Sequence, residues 1–227
     1  MNPSDLFETD ILPTPSGDLS IKFLGHGSLL MNFKELVIYV DPFGKVADYS
    51  TLPKADLVFV THEHFDHFDL QALSSIRKEK TQLVLTETCA QQVKGGIVMR
   101  NGEKRSVAGI PVEAMAAYNL VHKRPSGEPF HPRGSGNGYI FDFGGKLVYV
   151  AGDTENTPEM KALKNIHVAF LPMNLPYTMT PAMVADAALA FRPKILYPYH
   201  YGDTEVSQLV DLLKGEKDIE VRVRKLS

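Results

Sequence analysis

The chain has 227 residues, 44% of them hydrophobic and 22% charged, and carries a net charge of −3. These values fit a single globular domain with a sizeable core, and they exclude a strongly basic surface built for nucleic acid and a disordered polar chain. No apolar run approaches the roughly 18 residues of a membrane-spanning helix, and the lone cysteine, Cys89, excludes an internal disulfide. A reducing, cytoplasmic location is expected, because the N-terminus also lacks the basic start and apolar core of a secretory signal.

Residues 1–18 are polar and acidic, with prolines at 3, 13 and 15, and read as an irregular N-terminal extension. Strands are expected over 20–24, 28–33, 36–40 and 56–61, with residues 32–35 turning the second into the third. Leu70, Leu73 and Ile76 share one face of a helix over 70–76. A strand over 82–86, a short helix over 87–93 and strands over 96–99, 104–107 and 110–117 follow. Residues 119–138 form a polar stretch rich in glycine and proline, and a loop of that length inside a compact domain suggests function. Strands over 138–143 and 146–151 meet at Gly144-Gly145, a good hairpin turn. A helix over 158–162, a strand over 168–171, a helix over 181–191, a strand over 194–198, a helix over 204–213 and a strand over 220–224 complete the chain. The order runs strands first and mixed elements after, twice over. Two sheets with helices outside both would bury these faces.

Residues 61–69 read Thr-His-Glu-His-Phe-Asp-His-Phe-Asp and directly follow the apolar run Leu57-Val58-Phe59-Val60. Imidazole and carboxylate are the usual ligands of zinc and related transition metals, whereas a core has no use for so many polar rings. In extended chain, side chains two apart point the same way, so His62 and His64 can grip one ion together. A turn near Phe65 lets Asp66 and His67 face a second position beside the first.

The signature His62-Glu-His64-Phe-Asp66-His67 resembles that of the metallo-β-lactamase superfamily. Val150-Ala-Gly-Asp153-Thr and Tyr197-Pro-Tyr-His200-Tyr-Gly resemble the later strand ends of that family, and Val40-Asp41-Pro42 resembles the early strand end that steadies the signature loop. The resemblance runs from about residue 20 to beyond His200. It implies an α/β fold, a four-layer αββα sandwich in which 1–227 form one domain, with two divalent metal ions at one edge of the sheets. Zinc is the first expectation, with manganese or iron as alternatives. His62, His64 and His131 would hold one ion; Asp66, His67 and His200 would hold the other, and Asp153 would bridge them. His122 and His131 both lie in the 119–138 stretch, and His131, set between Phe130 and Pro132 ahead of the next strand, is favoured. Asp153 could instead cap the helix after it. His26 reads as a rim or supporting residue or equally as a plain structural one, His167 as structural, Glu63 as directed to scaffold or solvent, and Cys89 as a small helix residue.

Phe23-Leu-Gly-His26-Gly-Ser28, Ala117-Tyr-Asn119, Asn137-Gly-Tyr139 and the segment from Leu171 to Thr180 are similar to the branch of L-ascorbate-6-phosphate lactonase and N-acyl-phosphatidylethanolamine phospholipase D. That implies a hydrolase using metal-activated water on an ester-type bond (a lactone, a phosphodiester or a relative) of a small molecule, with Asp66 orienting the water and taking its proton. Neither nucleic acid nor integral membrane association is implied. RNA-processing and glyoxalase-type branches carry extra domains for which the chain leaves no room, and flavin-linked diiron members carry glutamate where His64 stands. A non-catalytic metal sensor and an iron-dependent redox protein are the alternatives.

Overall fold

The computed structural model describes residues 6–227. The first half contributes β1 (Thr9–Leu12), β2 (Leu19–Gly25), β3 (Ser28–Phe33), β4 (Leu36–Val40), β5 (Leu57–Phe59), α1 (Leu70–Ile76), β6 (Gln82–Leu85), α2 (Glu87–Ala90) and β7 (Gly96–Val98). The second contributes β8 (Lys104–Val107), β9 (Ile110–Ala117), β10 (Gly136–Phe143), β11 (Lys146–Val150), α3 (Pro158–Lys161), β12 (Val168–Pro172), α4 (Pro181–Phe191), β13 (Ile195–Tyr199), α5 (Val206–Leu213) and β14 (Glu220–Val221).

Each half forms a seven-stranded sheet, in the orders β1-β2-β3-β4-β5-β6-β7 and β14-β13-β12-β11-β10-β9-β8. In both, hairpin-linked antiparallel strands come first and parallel strands follow: β4 to β7 in one sheet, β11 to β14 in the other. The halves thus repeat one plan.

Period-two alternation decides which side chains meet. Leu29, Met31 and Phe33 of β3, Ile38 and Val40 of β4, and Leu57 and Phe59 of β5 enter the core between the sheets. Val148 and Val150 of β11, Val168 and Phe170 of β12, and Tyr197 and Tyr199 of β13 enter it from the other side. The residues between them face outward. Leu30, Tyr39 and Val58 pack with Leu73 and Ile76 of α1, while Tyr149, Ala169 and Leu196 pack with Val184 and Ala188 of α4 and Leu209 of α5. Three apolar layers between four structural layers make an αββα sandwich. Both faces of the parallel strands are covered, which explains their continuous apolar runs. No helix among the described residues is long and apolar enough to cross a membrane.

β3, β4, β8, β9, α1 and α4 keep the expected bounds. The strand expected over 56–61 ends at Phe59, because the chain leaves the sheet to enter the signature loop. The helix expected over 87–93 stops at Ala90, and the strand expected over 220–224 is only Glu220–Val221.

The expectation of irregular chain over 1–18 is corrected for part of its length. Thr9 to Leu12 pair antiparallel with Lys22 to Leu19; residues 1–5 lie outside the described residues. This edge strand buries only Leu12, so it lacks an apolar signature. Long-range polar contacts hold it: Asp10 accepts hydrogen bonds from Tyr197, Arg222 and Arg224.

Burial raises the Asp10 carboxyl, but Tyr197, Arg224 and Arg222 outweigh burial and hold it below its ordinary range. A carboxyl depressed in the folded state stabilises above its unfolded pKa, about 3.9, and that contribution is lost as pH falls through the folded value. Asp10→Asn is expected to cost about 1–3 kcal/mol at neutral pH. Urea unfolding at pH 7 and pH 3 checks this: the variant should lose less stability than the wild type between the two, and equal losses would remove Asp10 from the account.

Candidate metal centre

Asp41 is fully buried at the end of β4, in left-handed backbone (φ 46°). Its carboxylate accepts from the Thr61 amide at 2.8 Å, the Thr61 hydroxyl at 2.7 Å and His67 Nδ1 at 2.8 Å. It therefore holds both ends of the signature loop. With Nδ1 engaged, His67 turns Nε2 into the site. The Thr61 hydroxyl, spent as a donor on Asp41, accepts from His62 Nδ1 at 2.9 Å and turns His62 Nε2 inward as well. His131 is oriented likewise, its Nδ1 lying 2.8 Å from Asn119 Oδ1. Partners of this kind fix tautomer and ring direction at metal sites.

The loop over 61–69 follows β5, Asp153 follows β11 and His200 follows β13, so both sheets deliver residues from the C-terminal ends of parallel strands. Gly152 makes the close approach possible: with φ +67°, a Cβ there would lie 2.7 Å from the Asn137 carbonyl. At Gly27 a Cβ would come within 2.9 Å of the His67 ring.

Two groups result. His62, His64, His131 and Asp153 form one, and His26, Asp66, His67 and His200 form the other; within each group the donor atoms lie within 4.8 Å of one another. Asp153 reaches both. Its oxygens lie 3.3 Å from His131 Nε2, 3.9 Å from His62 Nε2, 3.5 Å from His67 Nε2 and 3.8 Å from His200 Nε2. Asp66 Oδ2 lies 3.1 Å from His26 Nε2 and 3.6 Å from His200 Nε2.

Nε2 of His62, His67 and His131, both ring nitrogens of His200, and Asp153 Oδ1 are buried without a hydrogen-bond partner. Orphaned buried donors and acceptors are rare and costly. Here one such atom from each of His62, His67, His131, His200 and Asp153 faces the two groups, and imidazole with carboxylate is the donor set a transition-metal ion satisfies. The residues present therefore fit such ions.

Electrostatics agree. Burial disfavours ionised Asp66, yet the rings of His200 and His26 outweigh it and hold the carboxyl well below its usual range. Burial likewise opposes ionised Asp153, but the charges of His200 and His67 hold it down. Burial, with His67 nearby, pulls His62 well below the ordinary imidazole value.

All seven residues singled out in the sequence as ligands are thus brought together, and His26 joins them. His122 lies apart, its Nδ1 2.7 Å from Glu155 Oε1. The cap of α3 is Thr157, not Asp153. His167 Nδ1 accepts from the Leu147 amide, a structural role. Cys89 is buried, and burial pushes its thiol up to about 12. Glu63 stays outside both groups, as expected; it borders the same cavity as His64, and its Oε2 is buried without a hydrogen-bond partner among the described residues. Sequence reading also passed over Glu155. This fully buried carboxylate takes the amides of Leu120, Val121 and His122 at 2.7, 2.6 and 2.7 Å, and so folds the start of the loop that carries His131. Its position two residues after Asp153 was the available signal.

The family profile described as "Beta-lactamase superfamily domain" matches residues 20–200. The chain belongs to the metallo-β-lactamase superfamily. Among its relatives in that superfamily is a UPF0173 metal-dependent hydrolase of Koribacter versatilis, 30% identical over 200 residues that cover 81% of this chain and 84% of the relative. A UPF0173 metal-dependent hydrolase of Nanoarchaeum equitans is 29% identical over 197 residues with the same coverage. A crystal structure of a Parabacteroides distasonis protein, proposed to be a metal-dependent hydrolase, is 47% identical with a TM-score of 0.93, covering 97% of this chain and 100% of that one. With these relatives the chain stands among the metal-dependent hydrolases of the superfamily.

Glu155→Ala would remove the shared acceptor of three part-buried loop amides, those of Leu120, Val121 and His122. The expected result is a loss of about 2–4 kcal/mol and faster proteolytic cleavage within 120–131, read by limited proteolysis. Cleavage at the wild-type rate would show that Glu155 does not hold the loop.

Proposed function

We propose that this superfamily member holds two divalent metal ions, zinc foremost, and hydrolyses an ester-type bond of a small molecule: a lactone, a phosphodiester or a relative. The convergence of unpartnered, buried donor atoms from His62, His67, His131, His200 and Asp153 carries the reading. His62, His64 and His131 would hold one ion, Asp66, His67 and His200 the other, with Asp153 shared. The motif likeness to lactonase and phosphodiesterase branches supports the bond class. The lone, buried Cys89 supports a reducing, cytoplasmic setting.

Such ions, when bound, lower the pKa of water towards neutrality and stabilise an oxyanion. The chain's own residues do the rest. Asp66, partly exposed on the cavity side, can orient the attacking water and accept its proton through its free oxygen. His26, bonded to Asp66 Oδ2, keeps that carboxylate turned inward. A cavity of about 560 Å³ above the clusters leaves room for a small substrate.

Saturating zinc or manganese is expected to bind at two equivalents per chain. His131→Ala should lower metal content, whereas His122→Ala should not, since His122 faces Glu155. Elemental analysis of all three proteins decides; a wild-type value never above one removes the second ion from the proposal.

Asp66→Asn should keep the fold and lose roughly 100-fold or more in turnover, because an amide accepts no proton. Circular dichroism and initial rates on chromogenic esters and phosphodiesters test this. Near-wild-type turnover would assign proton transfer to another group.

A further inference from the structure

Arg124 overhangs the cavity above the metal clusters, and its charge is unspent. Arg100, Arg105, Arg133, Arg192, Arg222 and Arg224 each form an ion pair with a carboxylate. Among the described residues Arg77 and Arg124 have no such partner; Arg77 donates to the Lys94 carbonyl and lies outside the cavity lining, whereas Arg124 is part of it. Its guanidinium donates to the Phe130 carbonyl at 3.2 Å and lies over the Phe130 ring, 5.3 Å from the centroid.

The local chain fixes this pose. The Arg124 amide donates to the Glu128 carbonyl at 2.7 Å, the Gly127 amide donates to the Arg124 carbonyl at 2.9 Å, and Lys123 bridges to Pro129. Phe130 meets Tyr177 edge-on with centroids 5.1 Å apart, and Asn119 Nδ2 donates to the Tyr177 carbonyl at 2.9 Å. Two loops are thereby joined into one wall. That wall presents a guanidinium fork and two aromatic rings, and Phe65, 68% exposed, lines the same cavity. Among the described residues that line the cavity, Arg124 is the sole arginine or lysine and Glu63 the one acidic side chain outside the clusters. A planar fork on an aromatic face is the usual device for binding an oxyanion next to a flat or apolar surface.

We propose that the substrate carries a second anionic group, a carboxylate or phosphate remote from the bond that is cut, which Arg124 binds while Phe130 and Tyr177 hold the apolar segment between them. This rests on the hydrolase reading for the position of the scissile bond, but not for the anion site itself.

The test uses metal-loaded protein and ligands that do not react. Calorimetry compares butyrate with succinate, glutarate and adipate, and with 3-phosphonopropionate. Wild type should bind the best-fitting dianion about tenfold more tightly than butyrate. Arg124→Met, which keeps the stem on Phe130, should abolish that preference and leave butyrate unchanged, and Arg124→Lys should retain part of it. A stronger preference for the phosphonate than for any dicarboxylate assigns phosphate; the reverse assigns carboxylate. No preference in wild type, or equal weakening of butyrate and dianion in Arg124→Met, overturns the proposal. Rates on 4-nitrophenyl acetate and mono-4-nitrophenyl glutarate are read in parallel. If neither ester turns over, the ester-hydrolase reading fails while the binding preference still decides the anion site.

Discussion

The site depends on one buried carboxylate. Asp41 is fully buried and needs donors, since an unpaired buried charge costs several kcal/mol. It obtains them from Thr61 and His67, residues six apart that would otherwise belong to a freely turning loop. The contact works in both directions. The carboxylate is satisfied, and the loop carrying His62, His64 and Asp66 is closed into a single conformation. Asp41 itself sits at φ 46°, a conformation unfavourable for a non-glycine residue. His26 at 53° and His200 at 47° share that conformation at strand ends facing the same space. Lys34, Ala108, Asn165 and Arg192 adopt it elsewhere, so left-handed backbone is not confined to the site, but three such residues border it and the packed sheets beneath hold them in place.

Duplication of the sheet plan explains why two clusters share one carboxylate. Each half ends its antiparallel hairpins in parallel strands, and parallel strands release their chains at one edge. The first half supplies a single dense loop after β5. The second supplies separate residues after β11 and β13, with His131 arriving from the long loop that Glu155 and Asn119 fold. Asp153 stands where the two contributions meet. Its oxygens face rings from both halves, so displacement of one sheet against the other would separate the groups. Close packing at Gly27 and Gly152 leaves little freedom for that displacement.

Much of this was legible in the sequence, for physical reasons that differ by element. β3, β4 and β9 were readable because one or both faces are buried and turn residues bound them. The signature loop was readable because its ligand-type residues are adjacent. β1 was not, because its pairing rests on Asp10 contacts with residues more than 180 positions away, and no local pattern encodes these. The choice between His122 and His131 turned on Asn119 and Glu155. Each orients one of the two rings, and neither belongs to a short motif. His26 was undervalued because its place among the ligand-type groups arises only when the end of β2 crosses to the strand carrying His200; their rings lie 3.8 Å apart. Arg124 carried no sequence signal at all, since an arginine is marked as unspent only by the absence of a carboxylate in three dimensions.

The unpartnered nitrogens link the site to folding. Each buried group without a partner costs about 1–3 kcal/mol, so a cation in contact with the atoms around Asp153 would remove that cost. The carboxylates respond in kind. Burial alone would strip the proton from His67, but Asp153 and Asp41 outweigh burial and push the ring up to about 9. A ring pushed up in this way balances part of the negative charge of the two carboxylates. A divalent ion offers the same charge balance and also satisfies the orphaned atoms, which a proton on one ring does not. Occupation of the proposed metal site is therefore linked both to release of a proton and to stability of the fold, and Asp41 connects the two because the residue that steadies the loop is also one that charges the ring.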